Sequence, residues 1–401
     1  IPQMKAEEIT TSDFEKNIFY GPINNFPKDF STAQKEKYTK LFEQMITTKI
    51  IPAYKKMAEF LEIEYLPKSR ITDGINALPK GNNIYAYYAK SWTTTNKTPE
   101  EINKIGLGEV AMLLAEMDKV KTEVGFVGTT EEFITFVKSD PKAMPYKTDK
   151  EIITDFNGIL AKINPKLKTM FSVTPKTPFE IRQTEKFRES SASAEYIPGT
   201  PDGKRPGIFY IPLPDPTKFN VTSGMESLFL HEAIPGHHYQ VSLQQENMSL
   251  PKFMRFGWFG AYGEGWAHYC ETLGPEFGLY TDPYQKMGYL SDQMLRAVRL
   301  VVDTGLHTGK MTREEAIDYF LKNISYDKEA ATAEIERYMA MPGQALSYKI
   351  GSLKMRELRN QYQKQLGNRF NLAKFHDEIL NQGGLPLDVL SRKMENWAKK
   401  Q

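Results

Sequence analysis

The sequence has little cysteine, little histidine and almost no net charge. Its 401 residues include one cysteine, Cys270, which excludes an internal disulfide and leaves the redox compartment open. Lysine and arginine number 52 against 50 acidic residues, so the net charge is +2. Such a balance creates no strong field, and no basic run is interleaved with aromatic residues, so nucleic acid is not predicted as a partner.

Long hydrophobic runs are also missing. The apolar stretches fall far short of the roughly 18 residues that span a bilayer, so we predict no transmembrane segment in this chain. The 40% hydrophobic content is nevertheless sufficient for a large core.

The six histidines are unevenly distributed, because three of them stand beside a glutamate in His231-Glu232-Ala233-Ile234-Pro235-Gly236-His237-His238. In the H-E-x-x-H motif, histidines at i and i+4 bind one Zn2+ from a single helix face, and the glutamate reaches the metal-bound water. Here position i+4 is Pro235, which cannot bind metal and cannot continue a regular helix. Removing Pro235-Gly236 leaves His-Glu-Ala-Ile-His. We therefore predict a Pro-Gly bulge that returns His237 to the ligand position beside His231.

His238 is the competing second ligand. On an undistorted helix it would share the face of His231 but lie about 10 Å further along the axis, which is long for two imidazoles on one ion. This geometry favours His237. Upstream, Thr222 and Ser223 are predicted to cap the helix that carries His231.

A catalytic zinc site usually has three protein ligands and an open position for water. The next candidates lie in residues 263–271, where Glu264, His268 and Glu271 are spaced i, i+4, i+7 and share one helix face. Glu264 is the predicted third ligand, with His268 as its substitute. Glu271 is the predicted carboxylate that accepts a hydrogen bond from a ligand histidine and fixes its tautomer.

Other segments complete a wider pattern. They are Pro206-Gly207-Ile208-Phe209-Tyr210, residues 231–240, Glu264-Gly265-Trp266-Ala267 and residues 341–351. Together they resemble the bacterial domain-of-unknown-function 885 family over nearly the whole chain. The resemblance implies a mostly helical, zinc-dependent, peptidase-like protein, similar in architecture to the helical carboxypeptidases and oligopeptidases that carry H-E-x-x-H. In those proteins a Glu on the following helix is the third ligand and a second acid stands seven positions later. The resemblance implies no substrate.

The predicted chemistry is amide hydrolysis. Glu232 would take a proton from water and deliver it to the leaving amine. The developing oxyanion needs a donor, and Tyr348 is the candidate, largely because of the resemblance. Arg337 and Tyr338 are alternatives that could instead hold a peptide carboxylate.

Tyr210 is a further candidate for substrate binding. It lies in the run 207–214, which is typical of a strand that its prolines confine to a sheet edge. An extended peptide could pair with such an edge, although an ordinary short strand without a ligand is the alternative.

The predicted fold is mainly α. Helical periodicity dominates residues 222–400, and strand-like runs are confined to about 169–213. We expect one mostly helical domain over residues 1–401, with a small β-sheet beside a metal-site cleft and a metal-site core at 222–351. Thr98-Pro99-Glu100-Glu101 and the Thr312 segment are predicted helix starts.

Two functions fit the sequence. The first is a zinc metallopeptidase of gluzincin type, H-E-x-x-(P-G)-H, acting on short peptides; mixed histidine and carboxylate ligands suit zinc. The second is a non-catalytic, metal-stabilised protein that binds a peptide or glycan in the same cleft. It would have no use for Glu232 as a base, and a fourth ligand, His238 or His268, would close its metal site.

The first residue is Ile1 rather than methionine, and the family that this sequence resembles usually carries more sequence before this point. We therefore expect a missing N-terminal portion with an export signal or a lipid-anchor site. A periplasmic or lipid-anchored location is favoured over a cytoplasmic one.

Overall fold

The computed structural model describes residues 2–186, 188–189 and 192–401. It is mainly α-helical with one small sheet, which confirms the predicted fold class. Contacts divide the chain into two compact units, one that ends at Thr72 and one from Asp73 to Gln401. In these described ranges, no helix is both long enough and apolar enough to cross a bilayer.

The unit that ends at Thr72 is built from helical segments. Its α-helices are α1 (Glu7–Thr10), α2 (Gly21–Asn24), α3 (Thr32–Met45) and α4 (Ile51–Glu59). Wider π-helical turns follow α3 at Ile46–Ile50 and α4 at Phe60–Tyr65, and 3-10 turns lie at Pro2–Lys5, Phe14–Lys16, Ile18–Tyr20 and Leu66–Lys68. The helical path begins at Thr32 because Ser31 and Gln34 form a capping box.

The second unit contains the other helices and the sheet. Its α-helices are α5 (Gly81–Thr93), α6 (Pro99–Glu123), α7 (Thr130–Phe136), α8 (Asp149–Met170), α9 (Met225–Glu232), α10 (His237–Glu246), α11 (Lys252–Arg255), α12 (Gly260–Glu271), α13 (Gly274–Phe277), α14 (Pro283–Thr308), α15 (Arg313–Asn323), α16 (Lys328–Ala340), α17 (Ser347–Leu366), α18 (Leu372–Leu380) and α19 (Leu387–Ala398). Its 3-10 turns are Ile75–Ala77, Pro141–Ala143, Pro216–Lys218, Val221–Ser223, Gln344–Leu346 and Gly367–Arg369. Both predicted helix starts are confirmed, because Thr98 and Thr312 cap α6 and α15 through capping boxes.

The sheet has three strands, β1 (Phe179–Gln183), β2 (Glu195–Ile197) and β3 (Gly207–Ile211), in the order β1-β3-β2. β3 pairs parallel with β1 and antiparallel with β2. The prediction that prolines confine the 207–214 run to a sheet edge is therefore wrong. The strand ends at Ile211, so Pro212 and Pro214 lie beyond its ladder and remove none of its hydrogen bonds.

Two helix pairs frame the region around His231: α14 packs on α6, and α12 packs on α17. At the second crossing, a Cβ added to Gly265 would stand 2.5 Å from the Cα of Gly351. No side chain can occupy that space, so glycine allows the two helix backbones to touch. This contact sets the position of Glu264, on α12, relative to Tyr348, on α17.

Buried Asp303 ties α14 to the loop that precedes α17. Its carboxylate accepts hydrogen bonds from the Tyr85 hydroxyl at 2.6 Å and from the backbone N–H of Gly343 at 3.1 Å. Burial raises the pKa of Asp303 to about 7, although both hydrogen bonds oppose the shift.

We expect Asp303 to make the free energy of unfolding fall as the pH rises from about 4 to about 7. The folded state keeps the proton up to the raised pKa, whereas the unfolded state releases it near the ordinary value, so each pH unit costs up to about 1.4 kcal/mol. Denaturant unfolding at both ends of this range measures the decline, and Asp303→Asn should reduce it. If Asp303→Asn shows the same decline in the free energy of unfolding, other titratable groups cause it.

Candidate metal centre and cleft

Helix α9 carries His231 and Glu232 and ends there. The predicted bulge in a continuous helix is wrong, because residues 233–236 form a turn and a separate helix, α10, begins at His237. Pro235 follows a cis peptide bond and has no N–H for the helix ladder. At Gly236 a Cβ would stand 1.9 Å from the carbonyl oxygen of His231, so the turn requires glycine.

The start of α9 also differs from the prediction. Thr222 and Ser223 belong to a 3-10 turn, and the N-cap is Gly224, with a φ of 100° in the left-handed region. A Cβ at Gly224 would stand 1.9 Å from a carboxylate oxygen of Asp292, which also accepts a hydrogen bond from Ser227 at 2.5 Å. The Asp292 carboxylate therefore occupies the space beside the N-cap of α9, and the side chain of a Thr or Ser at that position would not fit.

Helix α12 holds the turn between the two histidines. The indole Nε1 of Trp266 donates to the carbonyl oxygen of Pro235 at 2.9 Å, and the Cys270 thiol contacts the same oxygen at 3.5 Å. Burial raises the pKa of Cys270, so the thiol stays protonated. The separation of His231 from His237 thus depends on a neighbouring helix.

The three side chains predicted as metal ligands come together. The Nε2 atoms of His231 and His237 lie 3.6 and 3.4 Å from Oε2 of Glu264. The two rings are nearly perpendicular, with centroids 4.8 Å apart. Glu232 is also near: one ligand atom each of His231, Glu232 and His237 lies within 4.8 Å of the others, so these residues could hold a metal ion. Two imidazoles with carboxylates fit a divalent transition metal.

Glu271 fixes the orientation of His231. Its Oε1 accepts a hydrogen bond from Nδ1 of His231 at 2.7 Å, which leaves Nε2 facing Glu264. Its Oε2 accepts from the amide nitrogen of Gln293 at 3.0 Å, and the amide oxygen of Gln293 accepts from Lys349 at 3.1 Å. Although burial opposes it, nearby cationic and hydrogen-bonding groups hold the pKa of Glu271 well below its usual range.

The two alternative ligand histidines lie elsewhere. Nδ1 of His238 is 3.0 Å from the Tyr196 hydroxyl, and its ring packs on Phe179. Nδ1 of His268 is 3.1 Å from Glu271. Burial lowers the pKa of each histidine to about 4. Within the described part of the chain, neither joins the cluster of His231, Glu232 and His237.

The candidate ligands line a cleft of about 680 Å³. Tyr348 lies in it, with its ring stacked on that of His231 at a centroid distance of 6.4 Å. Arg337 also lines the cleft. Tyr338 does not; it is buried, and its hydroxyl accepts a hydrogen bond from Arg299 at 2.9 Å. Tyr210, on β3, is likewise absent from the lining.

The sequence prediction missed several residues of α14. Asp292, Arg296 and Arg299 line the cleft, and Arg296 forms a 2.8 Å ion pair with Asp292. Burial raises the pKa of Asp292 to about 6, although Arg296 opposes this. The signal was present, because Arg296 and Arg299 interrupt an apolar helical run, and a buried charge needs a partner.

Comparisons with known proteins give a family and two similar folds. Residues 2–394 match the family described as bacterial proteins of unknown function, DUF885. A candidate lipoprotein from Colwellia psychrerythraea is 34% identical, with a TM-score of 0.92 over 99% of this chain and 68% of that one. A candidate lipoprotein of unknown function from Shewanella oneidensis is 20% identical, with a TM-score of 0.70 over 96% of this chain and 70% of that one, which concerns the fold alone. No curated protein matched.

Proposed function

This chain belongs to the DUF885 family, as its sequence predicts, and we propose from its site that it is a zinc-dependent peptidase that hydrolyses short peptides. One observation carries the proposal. Two imidazole Nε2 atoms converge on one oxygen of Glu264, with a second glutamate, Glu232, beside them. Metal-assisted amide hydrolysis needs such a set: protein ligands that leave one coordination position open, and a carboxylate nearby to accept the proton of water.

In this proposal His231, His237 and Glu264 hold the metal. A bound zinc ion supplies Lewis acidity, which acidifies a water molecule and polarises the substrate carbonyl. Glu271 keeps the proton of His231 on Nδ1 and so leaves the Nε2 lone pair for the metal.

Glu232 and Tyr348 carry the proton and charge transfers. Burial raises the pKa of Glu232, although His231 and His237 oppose it, and a carboxylate with a raised pKa is a better proton acceptor. It takes the proton from water and delivers it to the leaving amine. Burial also raises the pKa of Tyr348, so its hydroxyl stays protonated and can donate to the oxyanion.

A metal-stabilised binding protein is the second candidate, and the position of Glu232 is what favours it. Glu232 lies close enough to His231 and His237 to serve as a ligand itself. If Glu232 and Glu264 both bound the metal, four protein ligands would close the site and leave no position for water.

The deciding experiment measures zinc content and peptide hydrolysis in the zinc-repleted protein, in Glu264→Gln and in Glu232→Gln. We expect about one zinc per chain in the unaltered protein and in Glu232→Gln, and much less in Glu264→Gln. Only the unaltered protein should hydrolyse peptides at full rate. Loss of zinc from both variants, with no hydrolysis by any of the three proteins, would favour the binding protein.

Glu271→Gln should weaken zinc binding about 10- to 100-fold, because the amide is a poorer acceptor for the Nδ1 proton of His231. Competition with a coloured chelator measures the dissociation constant. The matched control is Glu276→Gln, on the next helix, whose carboxylate pairs with Arg359 instead. Equal affinities in the two variants would mean that Glu271 does not act on the metal through His231.

We also propose that the protein acts outside the cytoplasm. The support is that the 34% identical protein from Colwellia psychrerythraea bears the description of a candidate lipoprotein. Fractionation of the native host, with detection of this chain in the periplasmic or membrane fraction, tests the location.

A further inference from the structure

Three arginines line one part of the cleft, and three carboxylates lie within ion-pair distance of them. Asp292 pairs with Arg296 at 2.8 Å, whereas Glu334 pairs with both Arg299 at 3.0 Å and Arg337 at 3.1 Å. Arg296 also lies 3.8 Å from Glu271, whereas Arg299 and Arg337 share Glu334, so these two arginines together carry one positive charge more than their shared carboxylate neutralises. A negatively charged group that enters the cleft would be attracted to it.

Two of these arginines keep hydrogen-bond donors free. Arg299 donates from Nε to the Tyr338 hydroxyl and from Nη2 to Glu334, while its Nη1 makes no hydrogen bond to any described residue. Arg296 donates from Nη1 to Asp292, and its Nη2, 3.8 Å from Glu271, makes no hydrogen bond to any of the same residues. Both side chains are held in place by these bonds and still have capacity for a ligand.

Arg337, the arginine predicted from the sequence, is more fully used. Its Nε and Nη2 donate to Glu334, and its Nη1 donates to Gln344. It thus acts mainly to hold Glu334 in place, and the role of anion binding falls to Arg296 and Arg299.

The two arginines lie a short distance from the candidate metal ligands. Nη2 of Arg296 is 3.8 Å from Oε1 of Glu271, and that oxygen is 2.7 Å from Nδ1 of His231. The Arg299 guanidinium lies 4.8 Å from the ring centre of Tyr348, which stacks on His231. An extended peptide advances about 3.3–3.6 Å per residue, so one or two residues span the gap from the scissile bond to the arginines.

We propose, building on the proposed peptidase function, that Arg296 and Arg299 bind the C-terminal carboxylate of the substrate and that the protein removes one or two residues from the carboxyl end of peptides. The planar guanidinium matches a carboxylate through paired, charge-assisted hydrogen bonds. Hydrolysis breaks the C–N bond, the water oxygen joins the acyl carbon, and the proton goes to the leaving amine. The side-chain carboxylate of an Asp or Glu in the substrate could form the same hydrogen bonds. The experiment must therefore distinguish a C-terminal carboxylate from a side-chain carboxylate.

The first test uses calorimetry on the zinc-loaded Glu232→Gln protein with three peptides: one with a free C-terminus, its C-terminal amide, and an amide whose last residue is Asp. The free acid should bind about 10- to 100-fold more tightly than the plain amide, since one or two charge-assisted hydrogen bonds are lost. The Asp amide should bind like the plain amide. Equal affinities for acid and amide overturn the proposal, and so does an Asp amide that binds as tightly as the acid.

Variants then assign the effect to the arginines. Arg299→Gln and Arg296→Gln should each reduce the ratio of the affinity for the free acid to the affinity for the amide towards one. A variant that weakens the binding of both peptides equally leaves this ratio unchanged. The control is Arg255→Gln, an arginine of the same cleft that donates to the backbone carbonyl of Gln245, and it should keep the ratio. If Arg299→Gln does not fold, Arg296→Gln decides, and an unchanged ratio there overturns the assignment.

Hydrolysis by the unaltered, zinc-loaded protein separates this inference from the proposed function. Release of one or two C-terminal residues from the free acid, with little cleavage of the amide, supports both. Equal cleavage of acid and amide at internal bonds overturns the inference and leaves the peptidase proposal standing. No cleavage of any peptide would defeat the peptidase proposal and with it the exopeptidase assignment, while the binding comparison still decides whether the arginines hold a carboxylate.

Discussion

Glu232→Gln should lower kcat for peptide hydrolysis about 10²- to 10⁴-fold while zinc content stays unchanged. Glutamine keeps the shape of the side chain but cannot accept the proton from water, so the loss falls on the chemical step rather than on substrate binding, and KM should change little. Steady-state kinetics with a short peptide, together with metal analysis of the same sample, measure both quantities.

The matched control for this variant is Glu226→Gln. Glu226 lies on the same helix, α9, and is also buried, but its carboxylate accepts from the backbone N–H of Tyr280 and pairs with Lys162. It should retain nearly full kcat. A Glu232→Gln protein as active as this control would remove Glu232 from the reaction.

His237→Ala should abolish tight zinc binding, whereas His238→Ala should leave it within about tenfold of the unaltered protein. The reason is geometric: Nε2 of His237 faces Glu264 at 3.4 Å, whereas Nδ1 of His238 faces the Tyr196 hydroxyl. Zinc titration of the two purified variants measures the affinities, and thermal unfolding checks that both are folded. Retention of zinc by His237→Ala, with loss in His238→Ala, would exchange their roles.

Much of the fold could be predicted from local sequence. The Thr98 and Thr312 segments start helices as predicted because each contains its own cap, an interaction that spans only three residues. The predominance of helix after residue 222 likewise follows from side-chain periodicity. Local signals of this kind remain valid in the folded protein because they do not depend on distant partners.

Features that depend on distant partners could not be predicted. The position of β3 in the centre of the sheet is decided by its pairing with β1 and β2, which the strand's own prolines do not reveal. The break before His237 is stabilised by Trp266, which lies far along the chain. For the candidate site, residues on α9 and α12 could be proposed from their spacing, but Arg296 and Arg299 join the cleft only through the packing of α14.

The glycine contact between α12 and α17 has a consequence for how the cleft can diversify. Gly265 and Gly351 bring two backbones together without side chains, and this contact sets the distance from Glu264 to Tyr348. Substitutions at cleft residues that lie away from this contact can therefore alter which substrates are accepted without changing that distance. Any larger residue at 265 or 351 would push the two helices apart and change the distance between Glu264 and Tyr348. Different residues therefore determine the dimensions of the site and the choice of substrate.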